Sequence, residues 1–120
     1  MNTKILGGRG ESIAAEYLRD RGCRLLAKNF RVKSGEIDLV VMDRGCVCFV
    51  EVKARRSYEA PQEAVSYLKQ RKLTRLAQAY LQKNYKGADM QCRFDVVAIE
   101  ETQEGVVRVE LFQNAFDAVY

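Results

Sequence analysis

Between Cys46 and Ala54 the chain reads CVCFVEVKA, apolar on both alternating faces until Glu51 and Lys53 interrupt one of them. Side chains alternate along a strand, so Cys46, Cys48, Val50 and Val52 share one face and Val47, Phe49, Glu51 and Lys53 the other. A strand apolar on both faces is expected to be buried on both. Charged residues at the end of such a strand mark a cleft. The plainer alternative is a same-face ion pair on the solvent side of an edge strand.

The preceding segment EIDLVVMD is a second strong strand, joined to the first through the turn-like DRGC. If Arg44-Gly45 is a two-residue hairpin loop, paired residue numbers sum to 89 and Asp38 faces Glu51. Directly opposed positions hold their β-carbons ~4.5–5.5 Å apart, where like charges repel. Such a pair needs a proton or neighbouring cations; a divalent metal, for which magnesium is suited by its preference for hard oxygen ligands, resolves the repulsion. A three-residue loop would instead put the two acids on opposite faces, and a four-residue loop would restore the shared face with a diagonal offset.

A first helix is expected in GESIAAEYLRDRG, with Ala14, Ala15 and Leu18 as its inner stripe and Gly22 as its stop. Glu11 falls on that stripe, aimed at whatever the helix packs against; the competing reading is a first-turn acid complementing the helix dipole. CRLLAKNF reads as a strand. A long helix is expected from Pro61 to about Gln82, with Val65, Leu68, Leu73, Leu76 and Tyr80 buried. Lys69 breaks into this stripe, and snorkelling past the core edge is the expected outcome, with a reach toward the acids as the alternative. RFDVVAIE and VVRVELF are strands flanking the turn EETQEG, and NAFDAV closes the chain as a short helix or cap.

A chain of 120 residues with a single proline and no repeat is expected to fold as one domain, residues 1–120. The opening MNTKILGGRGES lacks the apolar segment of a signal peptide and no run is long enough to span a bilayer, so a cytosolic location and no membrane partner are expected. Cys23, Cys46, Cys48 and Cys92 then read as reduced core thiols rather than disulfides or a zinc site. The absence of histidine excludes every mechanism with a histidine base, nucleophile or ligand, leaving carboxylates and lysine for any chemistry. A net charge of +4 is weak evidence for a polyanionic partner; the basic clusters KNFRVK and KARR say more by their placement, whereas KQRKLTR reads first as a solvated helix face.

With GES opening the first helix, followed by GEIDLVV, FVEVKAR, PQEAV and RFDVV, the chain resembles the YraN-like family over nearly its whole length. These small bacterial proteins are described as predicted endonucleases, similar to archaeal Holliday-junction resolvases in the restriction-endonuclease-like, PD-(D/E)xK superfamily. The resemblance implies an α/β fold of three layers, a central mixed β-sheet flanked by α-helices. It implies Asp38 and Glu51 as metal ligands, Lys53 as the catalytic lysine and Glu11 as a helix carboxylate that holds a second metal or its water shell. The expected function is metal-dependent endonuclease cleavage of DNA, directed by structure to junctions or branches, with Mg2+ or Mn2+ as cofactor. Arg31, Arg55 and Arg56 would contact flanking phosphates, with Lys69 and Gln70 as outer candidates. A homodimer would suit cleavage of two strands. The rival readings are a non-catalytic nucleic-acid-binding module that keeps the nuclease fold and a small-molecule phosphohydrolase.

Overall fold

The computed structural model describes residues 3–55, 65–86, 88–101 and 107–120. The elements run α1 (Thr3–Asp20), β1 (Arg24–Val32), β2 (Gly35–Asp43), β3 (Cys46–Arg55), α2 (Tyr67–Tyr85), β4 (Cys92–Glu101) and β5 (Val107–Phe116). Spatial order follows chain order in a single mixed five-stranded sheet. All neighbours are antiparallel except β3 and β4, whose parallel pairing needs the crossover that contains α2.

The β2–β3 hairpin forms as expected. Arg44 at φ 50° and Gly45 at φ 84° supply the pair of left-handed residues that a two-residue I′ loop requires, and Leu39 pairs with Val50 and Val40 with Phe49. β3 is the central strand, so the edge-strand reading falls. Leu39, Val41, Cys48, Val50, Val97 and Ile99 form one core with Ala14, Ala15 and Leu18 of α1. Ile37, Val40, Val47, Phe49, Phe94 and Val96 form the other with Leu73, Leu76, Ala77 and Tyr80 of α2. The expected three-layer α/β arrangement results. α1 packs against the sheet at Gly10, where a β-carbon would make ordinary contacts, 3.5 Å from Ile99 and 3.8 Å from Val52.

Several local expectations are corrected. α1 starts at Thr3, ahead of Gly10, so Glu11 lies within the helix and the first turn carries no acid; the dipole reading of Glu11 falls with it. Ser66 caps α2 by accepting the Lys69 N–H, so Val65 precedes the helix, while residues 56–64, including the proposed start at Pro61, lie outside the described residues. Leu68 is 75% exposed because it lies five residues before Leu73, about 140° away around the helix. Lys69, four before Leu73, points inward instead. The expected terminal helix in NAFDAV is in part strand: β5 continues to Phe116, whose ring stacks on Phe94 at 4.9 Å. Asn114, at φ 52°, takes up the bulge and donates its backbone N–H to Asp95 Oδ1 at 2.9 Å. Of the thiols, only Cys48 is fully in the core; Cys23 and Cys46 are half-buried and Cys92 is exposed, all free. No described helix is long and apolar enough to cross a membrane.

Candidate active site

The site lies where β2 parts from β3. Their ladder runs from Asp43 paired with Cys46 to Leu39 paired with Val50 and stops there; the next step of the same register is Asp38 and Glu51. Asp38 breaks the alternation of its strand: Ile37 packs in the α2-side core, whereas Leu39, two residues on, packs in the α1-side core. On the other flank, Lys28 pairs with Leu39 and Phe30 with Ile37, leaving Asn29, at φ 54°, across from Asp38. In place of a backbone carbonyl, Asp38 Oδ2 accepts the Val52 N–H at 2.8 Å. The sheet is thus held together by a carboxylate where its backbone ladder opens.

Glu51 is 8% exposed, and among the described residues its Oε2 has no hydrogen-bond partner. Its Oε1 lies 3.9 Å from Lys69 Nζ. Lys69 therefore does reach the acids, and snorkelling away from them is overturned. Burial, with the Asp38 charge second, pushes the Glu51 carboxyl up to about 7, against the pull of Lys69 and Lys53. Burial also raises Asp38; the Val52 N–H opposes this and the charges of Glu11 and Glu36 reinforce it.

Carboxylate oxygens of Glu11, Glu36 and Asp38 lie within 4.8 Å of one another. Asn29 Nδ2 bridges two of these acids, donating to Glu11 Oε1 and Glu36 Oε1 at 3.0 Å each. Arg31 Nε donates to Glu36 Oε2 and holds the Glu36 carboxyl below its usual range. Glu36 and Asn29 are absent from the sequence-based candidates. A signal for Glu36 exists, since it stands two residues before Asp38 and opposite Arg31 in the β1–β2 register. For Asn29 there is none, because a left-handed residue inside a strand has no periodic signature.

The remaining candidates divide. Lys53 is half-buried, two residues beyond Glu51 on β3, and its charge acts on Glu51. Gln70 turns back to donate to the Val65 carbonyl at 2.9 Å, so its amide anchors the entry to α2 rather than facing a ligand. Arg31 is exposed and ion-paired with Glu36. The side chain of Arg55 and the whole of Arg56 lie outside the described residues. At the opposite end of the sheet, a 570 Å3 concavity runs between Arg21, Arg44 and Gln113. Arg93 bridges Asp43 at 2.8 Å and buried Asp95 at 3.0 Å there, a closed network unlike the open acids at Asp38.

An acidic cluster that could hold a metal ion, set in a gap of a mixed sheet between two helix layers, defines the protein as a small α/β protein with a candidate metal centre. By sequence the chain belongs to the Uncharacterised protein family UPF0102, the YraN family, whose profile matches residues 10–99. A UPF0102 protein of Symbiobacterium thermophilum is 49% identical over 97% of this chain and 99% of its own length. One from Pelotomaculum thermopropionicum is 46% identical over 94% and 96%, and one from Geobacter sulfurreducens 43% over 99% and 94%. Among solved structures, SfsA of Pyrococcus furiosus in complex with Ca2+ is similar at a TM-score of 0.42 and 15% identity; the match covers 91% of this chain and 63% of that one.

Proposed function

We propose that the protein is a metal-dependent endonuclease that hydrolyses phosphodiester bonds of DNA at branches or junctions, with Asp38, Glu51 and Glu11 holding Mg2+ or Mn2+. The observation that carries this reading is the Oε2 of buried Glu51, beside Asp38 in a break of the sheet and without a hydrogen-bond partner among the described residues. An apolar setting penalises such an oxygen unless a proton or cation satisfies it. The donors are all carboxylate oxygens, the hard set that suits Mg2+ or Mn2+ rather than a thiophilic metal. A divalent cation bound there would polarise a phosphodiester and make nearby water a better nucleophile.

The chain's own groups do the rest. The Val52 N–H fixes the Asp38 carboxylate toward the gap. Lys69 offsets part of the negative charge on Glu51. Lys53 holds its ammonium beside Glu51, where it can stabilise charge that develops on the phosphate and orient the attacking water. Arg31, at the exposed rim, offers a guanidinium to a flanking phosphate. Contacts of this kind are to the backbone and read nucleic-acid shape rather than base sequence.

The alternative, a non-catalytic nucleic-acid-binding module, draws on the Asn29 and Arg31 bonds that already satisfy Glu11 and Glu36. Affinities for labelled junction, flap, duplex and single-stranded DNA at several salt concentrations, each followed by incubation with Mn2+, separate the readings. The enzyme binds with a negative salt slope, prefers a branched form and cuts it. Binding without cutting under Mn2+ transfers the protein to the alternative, and no salt-dependent binding removes both.

A further inference from the structure

Glu36 is the acid for which the proposed cation set has no use. Its carboxylate oxygen belongs to the same 4.8 Å group as those of Glu11 and Asp38. Both of its oxygens are already engaged, Oε1 by the Asn29 amide and Oε2 by Arg31. The two partners differ in how firmly they are held. Asn29 is half-buried within the sheet and shared with Glu11, whereas the Arg31 side chain is 75% exposed and free to swing into solvent. An exposed ion pair of this kind contributes little net stability and exchanges readily.

We propose that Glu36 is a further ligand of the cation centre and that Arg31 is its displaceable counter-ion, which leaves Glu36 as the cation takes it. This rests on the cation reading above. A second observation also calls for a ligand: Glu51 is nine-tenths buried, its Oε2 has no hydrogen-bond partner among the described residues, and the charges of both Asp38 and Glu36 act on it. Three carboxylates, Glu11, Glu36 and Asp38, converge, and among the described residues the hydrogen bonds to Glu11 and Glu36 come from one exposed arginine and one amide. Arg31 and a cation compete for the same oxygen of Glu36. A phosphodiester entering the cleft offers the guanidinium a bidentate partner of equal quality, so polyanion and cation binding reinforce each other through Arg31.

Mn2+ alone, titrated into the metal-free full chain without nucleic acid, tests this by calorimetry or by the loss of the free-ion paramagnetic resonance signal. Glu36→Gln weakens Mn2+ binding about tenfold or more. Arg31→Gln tightens it about threefold, the scale of an exposed ion pair. The gain vanishes in the Arg31→Gln, Glu36→Gln double variant, because the two residues act as a unit. Circular dichroism confirms that each variant is folded, and Asp38→Asn reports on the centre itself. If Asp38→Asn abolishes binding while Glu36→Gln leaves it unchanged, or if Arg31→Gln weakens it, the inference is overturned and the cation reading stands. If none of the acids affects Mn2+ affinity, the cation reading itself fails.

Discussion

Glu51→Gln makes the metal-free protein more stable at pH 8 by about 3 kcal/mol. In the folded chain the Glu51 carboxyl keeps its proton up to about 7, because burial and the Asp38 charge oppose ionisation; in the unfolded chain it loses the proton near 4.5. Between those values the folded state binds more protons than the unfolded one. Wild-type stability is therefore greatest below about pH 4.5 with respect to this group, falls as the pH rises to about 7 and is level above. Each pH unit of the interval corresponds to about 1.4 kcal/mol. Glutamine keeps the shape and removes the charge, so its profile loses most of the slope, with a remainder of the same sign from Asp38, whose carboxyl is also raised. Urea unfolding of both proteins from pH 4.5 to 8.5 in the presence of a chelator measures the difference. A variant less stable than wild type at pH 8 would show that Glu51 is satisfied within the fold and has no need of a cation.

Lys53→Ala slows cation-dependent strand cleavage about a hundredfold or more, the scale of removing one preorganised group that stabilises transition-state charge. Folding should survive, since Lys53 is half-buried at the edge of the gap and outside both cores. Mn2+ affinity should not weaken either, because the substitution removes a positive charge from beside Glu51. Lys69→Ala makes the comparison informative. Lys69 stands closer to Glu51 in its effect than Lys53 does, so its loss should act on the acids and on cation affinity, with a smaller effect on turnover. Rates at saturating Mn2+ together with Mn2+ isotherms on the same preparations separate the two lysines. Equal losses of turnover in both variants would contradict distinct roles.

The sheet was readable wherever the pattern of period two and the hairpin chemistry agreed. Arg44-Gly45 could be read as a two-residue loop, and the pairing it sets, Leu39 with Val50, carries Asp38 to Glu51. The doubly apolar β3 called for cover on both sides, and it has α1 on one and α2 on the other. What stayed hidden was produced by tertiary packing. Leu68 is apolar and near the expected stripe, yet the helix phase set by Leu73, Leu76 and Tyr80 turns it outward. NAF reads as the start of a helix but is strand because Phe116 has Phe94 to stack on and Asp95 to hold the bulge at Asn114. Glu36 and Asn29 entered the site through a local break in β1 and β2 that no alternating pattern announces. A register derived from one hairpin found the two central acids, whereas Glu36 of β2 and the Asn29 amide of β1 required the packed fold.

Strand cleavage by the wild-type chain and by Asp38→Asn, compared on a labelled DNA junction at saturating Mn2+ and again after a chelator is added, is the most direct test of a metal-dependent nuclease. Asp38→Asn keeps an acceptor for the Val52 N–H and changes only the charge, so it tests chemistry rather than folding. Specific cutting by wild type that stops with chelator and falls at least about a hundredfold in Asp38→Asn is the result expected here. Cutting that persists undiminished in Asp38→Asn, or a wild type that binds the junction and never cuts it, would contradict a metal-dependent nuclease centred on the gap between β2 and β3.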